Sequence, residues 1–275
     1  MAISAAEVKE LRERTGAGMM DCKKALQETG GDMEAAIDLL RSKGAAKAAK
    51  RAGKEASEGA IGSHIEDGVG ALVEVNCETD FVARTDDFQA LAQDLARHVA
   101  EHSAATDGAE PGDRLMAEAF EGGDQTVEQH VTQVSAKTGE KIVVRRFARF
   151  ETDGTLGGYV HMTGKIGALV ELSGGGESVA KDVAMHVAAA RPLGVTRDEI
   201  PADVVERERA VYQEQVRQEG KPEHIQEKIV EGKLGKFYKE QALVEQPFVK
   251  DPDRTVGELV GEADVRRFVR FELGE

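Results

Sequence analysis

The sequence predicts an α+β protein. A small N-terminal three-helix bundle leads into two duplicated β-β-α-β units, and an antiparallel helical hairpin is inserted in the second. Three observations carry this. Capped apolar-periodic runs fill the first 44 residues. Four separate segments recur later in the chain in the same order. A charged helical stretch around Gly220-Lys221-Pro222 has no counterpart in the first repeat.

The N-terminal helices follow from their caps. Ser4-Ala5-Ala6-Glu7 has the form of a capping box and starts a helix with Val8 and Leu11 on its apolar face. That helix ends near Thr15-Gly16, and a second runs from Asp21 to Glu28, stopped by Gly30-Gly31. Asp32 caps a third, in which Met33, Ala36, Ile37 and Leu40 fall on one face and Gly44 closes the run. Residues 1–44 thus form a compact, UBA-like bundle with a marginal core of its own. Residues 45–57, Ala45 to Ser57, are rich in Ala, Lys and Gly and read as a linker, partly helical, with Lys47, Lys50, Arg51 and Lys54 either solvated or available for docking.

The duplication defines the rest. Gly70-Ala71-Leu72-Val73-Glu74-Val75 recurs 97 positions later as Gly167-Ala168-Leu169-Val170-Glu171-Leu172. Gly59-Ala60-Ile61-Gly62 recurs at an offset of 95 as Gly154-Thr155-Leu156-Gly157, so each pair of runs reads as a β-hairpin. A helix follows, with Ala92 to Ala100 matching Ala180 to Ala188 at an offset of 88. Val144-Arg145-Arg146-Phe147-Ala148-Arg149-Phe150-Glu151 matches Val265 to Glu272 at an offset of 121, and its Arg/Phe alternation reads as a strand with one wet face. The units span 58–152 and 153–275. From hairpin to helix the offset falls from 97 to 88, so the first unit carries nine extra residues between Glu74 and Asp94. From helix to last strand it rises from 88 to 121, so the second carries 33 extra between Asp182 and Val265. That second surplus holds the helical hairpin, about 200–246. Its first helix has an apolar stripe at Val204, Ala210 and Val211; Gly232 and Gly235 weaken or kink the second; Pro247 and Pro252 end the helical region. In the first unit, Ser103 to Thr138 reads as a polar loop with short helices.

Composition excludes several classes of function. The net charge of −15 over 275 residues disfavours a broad nucleic-acid footprint. Cys22 and Cys77 have neither metal nor disulfide spacing, as in a reducing cytoplasm. The start, Met1-Ala2-Ile3-Ser4, lacks the order of a signal peptide, and no apolar run is long enough to span a bilayer.

No catalytic constellation emerges. Gly16-Ala17-Gly18 and Gly174-Gly175-Gly176 lack the Lys-Ser/Thr of a phosphate loop. His98 and His186 are equivalent in the repeats and suit a structural role; His64 and His161 sit in hairpins with no carboxylate or Cys at metal spacing. Cys77 has no activating neighbour and reads as a packing residue, and Glu78, Asp80, Asp86 and Asp87 lack the spacing of a calcium loop. No metal and no cofactor is expected. The segment Asn76 to Arg84 is different, because it lies in the nine-residue surplus. Phe81 is either a core residue of an extra helical turn or an aromatic on a surface that the fold does not need. The duplication favours the second, and such an aromatic is an interface anchor.

Long motifs carry a resemblance. Leu11 to Leu26, Val73 to Ala83, and Gly232-Lys233-Leu234 through Val249 resemble the signatures and coiled-coil region of the bacterial translation elongation factor Ts family, over nearly the whole chain. The resemblance implies a non-enzymatic guanine-nucleotide exchange factor of the cytoplasm, with elongation factor Tu, GDP-bound and nucleotide-free, as partner. It implies no direct nucleic-acid or membrane partner. It implies that Arg12, Met19 and Met20 contact the partner's nucleotide-binding domain. Thr79, Asp80, Phe81 and Val82 would insert near its magnesium and phosphate site. Some family members continue past the last strand into a further helix, where this chain stops at Glu275. The alternative reading is an RNA- or ribosome-docking module using Lys47 to Lys54 and the Arg-rich strands; an enzyme using Cys77 or its neighbouring carboxylates is the other rival.

Overall fold

The structure is a computed structural model that describes residues 3–104 and 108–275. Met1 and Ala2, part of the N-terminal tetrapeptide, and residues 105–107, in the expected polar loop, lie outside the described residues. The described residues form a mixed α/β protein with ten α-helices and antiparallel sheets.

Helix α1 spans Ala5–Thr15, and its capping box is reciprocal: the Glu7 N–H donates to Ser4 Oγ at 3.2 Å and the Ser4 N–H donates to Glu7 Oε2 at 2.7 Å. Gly16 ends it in the left-handed region, φ 66°. Helix α2, Met19–Glu28, and α3, Met33–Arg51, close around Val8, Leu11, Cys22, Ala25, Leu26 and Ala36.

Strands β1, Glu58–Glu66, and β2, Val69–Cys77, form a tight hairpin in which Asp67 and Gly68 both take positive φ. Then come α4, Asp80–Ala83; α5, Asp86–Glu101; β3, Gly108–Pro111; α6, Val127–Thr138; and β4, Val143–Glu151. The sheet order is β1-β2-β4-β3. Strand β3 was not expected: it lies inside the stretch read as a polar loop and covers the outer edge of β4, pairing Gly108 with Arg149 through Pro111 with Arg146. Four residues of mixed character ending in Pro carry no strand signal, and only the free edge of β4 gives them one.

Helix α3 corrects a second expectation. It does not stop at Gly44 but continues to Arg51, so the first half of the expected linker is helix. Ala45, Ala46, Ala48 and Ala49 favour helix, and buried Gly44 lets α3 approach α6, where an added Cβ would lie 3.3 Å from Ala136 Cβ.

The second half begins with β5, Thr155–Val160, β6, Ile166–Leu172, and α7, Glu177–Ala190. Helices α8, Ala202–Gln218, and α9, Glu223–Gln241, form the antiparallel pair. Next are β7, Pro247–Phe248, β8, Asp251–Thr255, and α10, Val256–Val260, none of which the sequence reading anticipated beyond the end of the helical region. Strand β9, Val265–Glu272, completes a sheet of order β5-β6-β9. The seam between α8 and α9 also differs from the expected stripe. Val216 is buried with Val230 and Leu234, and Val205 and Tyr212 pack beside it, whereas Val211 is 43% exposed. Val204 does pack, against the cluster of Ile200, Phe237 and Ala242. The contact follows the face that α9 covers, which one helix read alone does not reveal. Gly232 and Gly235 sit in open space and α9 runs unbroken past them, held by Val230, Leu234 and Phe237.

The two sheets pack face to face, with α5 on the outside of one and α7 on the outside of the other. Ile61, Leu72, Ala148, Phe150, Leu156, Leu169 and Phe271 fill the space between sheets. The Arg/Phe strands therefore have no wet face, contrary to the period-two reading. On β4, Phe147 faces the α5 core while Phe150 faces the other sheet. The arginines cross over as well. Arg146 lies 4.5 Å from the Phe271 ring centroid and Arg267 lies 4.1 Å from that of Phe150. Each also reaches a buried carboxylate, Arg146 to Glu74 at 2.7 Å and Arg267 to Glu171 at 2.5 Å. Glycines set the spacing between layers. A Cβ on Gly62 would lie 2.0 Å from the Ala92 carbonyl oxygen, and one on Gly157 would lie 2.1 Å from the Ala180 carbonyl carbon, so both outer helices touch strand backbone.

Candidate functional site: an exposed aromatic turn between strand and helix

The segment after β2 is built from two consecutive side-chain caps. Thr79 Oγ1 accepts from the Val82 N–H at 3.4 Å and starts α4; Thr85 Oγ1 accepts from the Phe88 N–H at 3.4 Å and starts α5. Between them the single turn of α4 splits its side chains. Ala83 is buried and Val82 packs on the first core with Phe88 and Leu91, while Phe81 is 81% exposed. Asp80 pairs with Arg84 one turn on, at 2.9 Å. An aromatic ring left in water on a one-turn helix contributes nothing to the core beneath it.

The base of the turn is held by groups distant in sequence. The Glu140 carboxylate, just beyond α6, accepts from the Glu78 N–H at 3.1 Å, the Thr79 N–H at 3.0 Å and the Thr79 hydroxyl at 2.6 Å. Glu78 in turn takes a two-pronged contact from Arg51, both distances 2.8 Å, and the Lys141 N–H at 2.7 Å. The Arg51 guanidinium, with the Lys141 amide, holds the Glu78 carboxyl down at about 2. The Lys141 ammonium caps the carbonyls of Ala52 and Lys54, at 2.7 and 2.9 Å. Sequence reasoning missed Arg51, Glu140 and Lys141 as parts of this site, and no local signal marks them.

The other candidates fall into place around this. Burial pushes the Cys77 thiol up to about 12, and its Sγ donates to the Thr79 carbonyl, so Cys77 packs. Glu78, Asp80 and Asp87 each face a cation of their own, Arg51, Arg84 and Lys137, and do not converge. His98 and His186 are both buried and both tie an outer helix to the segment that comes after it. His98 Nδ1 accepts from the Glu121 N–H and its Nε2 meets Glu118; His186 Nδ1 accepts from the Val249 N–H and its Nε2 meets Gln246. His64 departs from expectation: Glu66 and, from α5, Glu101 bring carboxylate oxygens to 3.3 and 3.0 Å from its Nε2, a trio able to hold a cation at the surface. Glu66 lies two residues along the same strand face, a spacing the sequence does show. Gly176 caps α7 without a side-chain bond, and Gly174 and Gly175 simply link β6 to it.

Arg12, Met19 and Met20 form a separate group. Arg12 is exposed on α1, and Met19 and Met20 open α2 at 59% and 61% exposure. Two unpacked methionines in a bundle with so small a core are an apolar surface patch. The structure does not place this group on the element that carries Thr79, Asp80, Phe81 and Val82. A polar contact near the base of α4, Arg51 to Glu78, joins it to α3 of the same bundle. Among the described residues, no helix is long and apolar enough to cross a membrane.

The family model described as elongation factor TS matches residues 78–275. The chain is 53% identical to elongation factor Ts of Alkalilimnicola ehrlichii over 280 residues, covering 100% of this chain and 93% of that protein. It is 51% identical to that of Methylococcus capsulatus over 280 residues, with the same coverage of 100% and 93%. It is 46% identical to that of Aquifex aeolicus over 286 residues, covering 100% and 99%. With identity of this level sustained along its whole length, the chain belongs to the elongation factor Ts family of translation elongation factors.

Proposed function

We propose that this protein is a guanine-nucleotide exchange factor for elongation factor Tu, and that the Asp80-Phe81 turn is the element that opens the partner's nucleotide site. The observation that carries the reading is Phe81: an aromatic 81% exposed on a turn whose neighbours Ala83 and Phe88 are buried. Family membership supports elongation factor Tu as the partner. The factor is not an enzyme and uses no cofactor. It acts in the cytoplasm by linkage, because a protein that binds nucleotide-free partner more tightly than the GDP form must weaken GDP binding by the same ratio. Burying the Phe81 ring in a pocket that is open only without nucleotide contributes about 1.5–3 kcal/mol to that ratio. Asp80 presents a charge beside the partner's magnesium and phosphate site, with Thr79 and Val82 fixing the turn. Arg12, Met19 and Met20 hold the partner's nucleotide-binding domain. The three N-terminal helices act as a UBA-like docking bundle, and the two sheet-helix halves descend from one duplicated unit.

The RNA-docking alternative loses much of its basis. Lys47 and Arg51 pair with Asp21 and Glu78, and Arg146 and Arg267 are engaged by buried carboxylates and rings.

The test is stimulated GDP release from purified elongation factor Tu. Phe81→Ala is expected to lower the saturated release rate about tenfold or more, the rate equivalent of the lost burial. Arg12→Ala and Met20→Ala are expected chiefly to raise the concentration of factor required. Release by Phe81→Ala at the wild-type rate would remove the wedge from the mechanism.

A further inference from the structure

We infer that Glu140 is a positioning residue for Phe81: its carboxylate sets the cap of the one-turn helix that presents the ring. The inference rests on the proposed exchange function and adds to it a residue outside the turn. A four-residue helix has no stability of its own, since nucleation costs more than one turn of hydrogen bonds returns. Val82 and Ala83 anchor only the inner side of α4. The outer side carries Phe81 with no packing partner in the core clusters. The direction of the ring therefore depends on how firmly the first residue of the turn is held.

That residue is Thr79, and its hydroxyl does two things at once. It accepts from the Val82 N–H, which closes the turn, and it donates to Glu140 Oε1 at 2.6 Å. Donation to the carboxylate orients the hydroxyl so that its lone pairs face Val82. The other carboxylate oxygen receives the Glu78 and Thr79 N–H groups, so the backbone entering the turn is pinned by the same group. Charge-assisted bonds of this kind are about twice as strong as neutral ones. Glu140 is itself well placed: Gly139 ends α6 at φ 75°, and the Ser135 hydroxyl donates back to the Glu140 carbonyl at 2.5 Å. The second half of the chain, whose link from β6 to α7 is Ser173 to Gly176, has no such turn to hold. A wedge that must enter a partner's cleft gains rate when its bound geometry exists beforehand, because the ordering cost is already met.

Two experiments on the full chain test this. The chain contains no Trp, so Phe81→Trp supplies a single fluorescent reporter on the turn. In that background Glu140→Ala is expected to lower the anisotropy of the indole while leaving the urea unfolding transition cooperative. Unchanged anisotropy would overturn the proposal. The second is a cycle of Glu140→Ala and Phe81→Ala read by stimulated GDP release. Glu140→Ala alone is expected to reduce the saturated rate about fivefold to tenfold, with little effect once Phe81 is gone, as for residues acting through one contact. Glu140→Gln, whose amide oxygen still accepts the two backbone N–H groups but whose NH2 cannot accept from the Thr79 hydroxyl, is expected to restore only part of the rate. Equal losses from Glu140→Ala in both backgrounds would show that Glu140 acts elsewhere. No effect of Phe81→Ala itself would instead remove the wedge from the exchange mechanism, and this proposal with it.

Discussion

The protein crosses from sheet to outer helix twice, and the two crossings differ. In the second half, Ser173 to Gly176 take the chain directly from β6 into α7. In the first, Glu78 to Thr85 hold an extra turn between β2 and α5. The nine-residue surplus counted from the sequence is not all loop. Strand β2 runs two residues further past Glu74 than β6 does past Glu171, the connection is four residues longer, and α5 starts three residues earlier relative to Asp94 than α7 does relative to Asp182. Both halves nevertheless close the same way, with a glycine on the first strand against helix backbone and a buried His tying the helix to the next segment of chain. Closure of sheet on helix therefore does not need the turn. The turn adds an exposed ring on a braced base.

The largest expected effect separates two phenylalanines seven positions apart. Phe88→Ala should cost about 3–5 kcal/mol of unfolding free energy, as buried aromatic truncations do. Phe81→Ala should change it by less than about 0.5 kcal/mol, as at other exposed positions. Urea unfolding of both variants reads this directly, and a comparable loss from Phe81→Ala would make the turn part of the core.

A smaller effect tests the likeness of the two halves. Gly62→Ala and Gly157→Ala each drive a methyl group into helix backbone. Each should cost about 1–3 kcal/mol or somewhat more, since backbone cannot step aside as a flexible side chain can. The same unfolding curves apply. If one substitution is silent, that helix stands further from its strand than its counterpart does.

The smallest effect lies in the histidines, which do the same job with different partners. Burial lowers the pKa of both His98 and His186 below the usual 6.5. The unfolded chain then takes up protons first, so the stability that each contributes is present above the unfolded pKa and lost as pH falls through the folded one. In each ring Nδ1 already accepts a backbone N–H, so a proton there breaks a bond. His98 faces Glu118, with Glu121 and His102 nearby, and the carboxylates offset part of the cost; His186 faces neutral Gln246. His186→Asn should therefore flatten the acid-side decline in urea midpoint, between about pH 7.5 and about pH 5.5, more than His98→Asn does. Equal flattening would mean that Glu118 gives His98 no relief.

Much of the architecture was legible because its causes are local. Ser4 with Glu7, and Asp32 with Ala35, are caps within four residues. The paired hairpins and the equivalence of His98 and His186 came from repetition, which needs no knowledge of packing. Errors arose where a neighbour distant in sequence decided the outcome. Helix α3 passes Gly44 because α6 packs there, and β3 exists because β4 had an open edge. The Arg/Phe strands lost their wet face to a second sheet. Val211 lost its place to Val216 because α9 covers the other side of α8.

For the site, sequence alone determined that the first half carries residues the second does without, and that Phe81 is among them. An offset between repeats is a property of the chain itself, so it is readable without coordinates. Only the tertiary structure decided which way Phe81 points and what braces it. A single helical turn has no apolar period to read. The groups that hold its base, Glu140 and Arg51, reach Thr79 and Glu78 from 61 and 27 residues away.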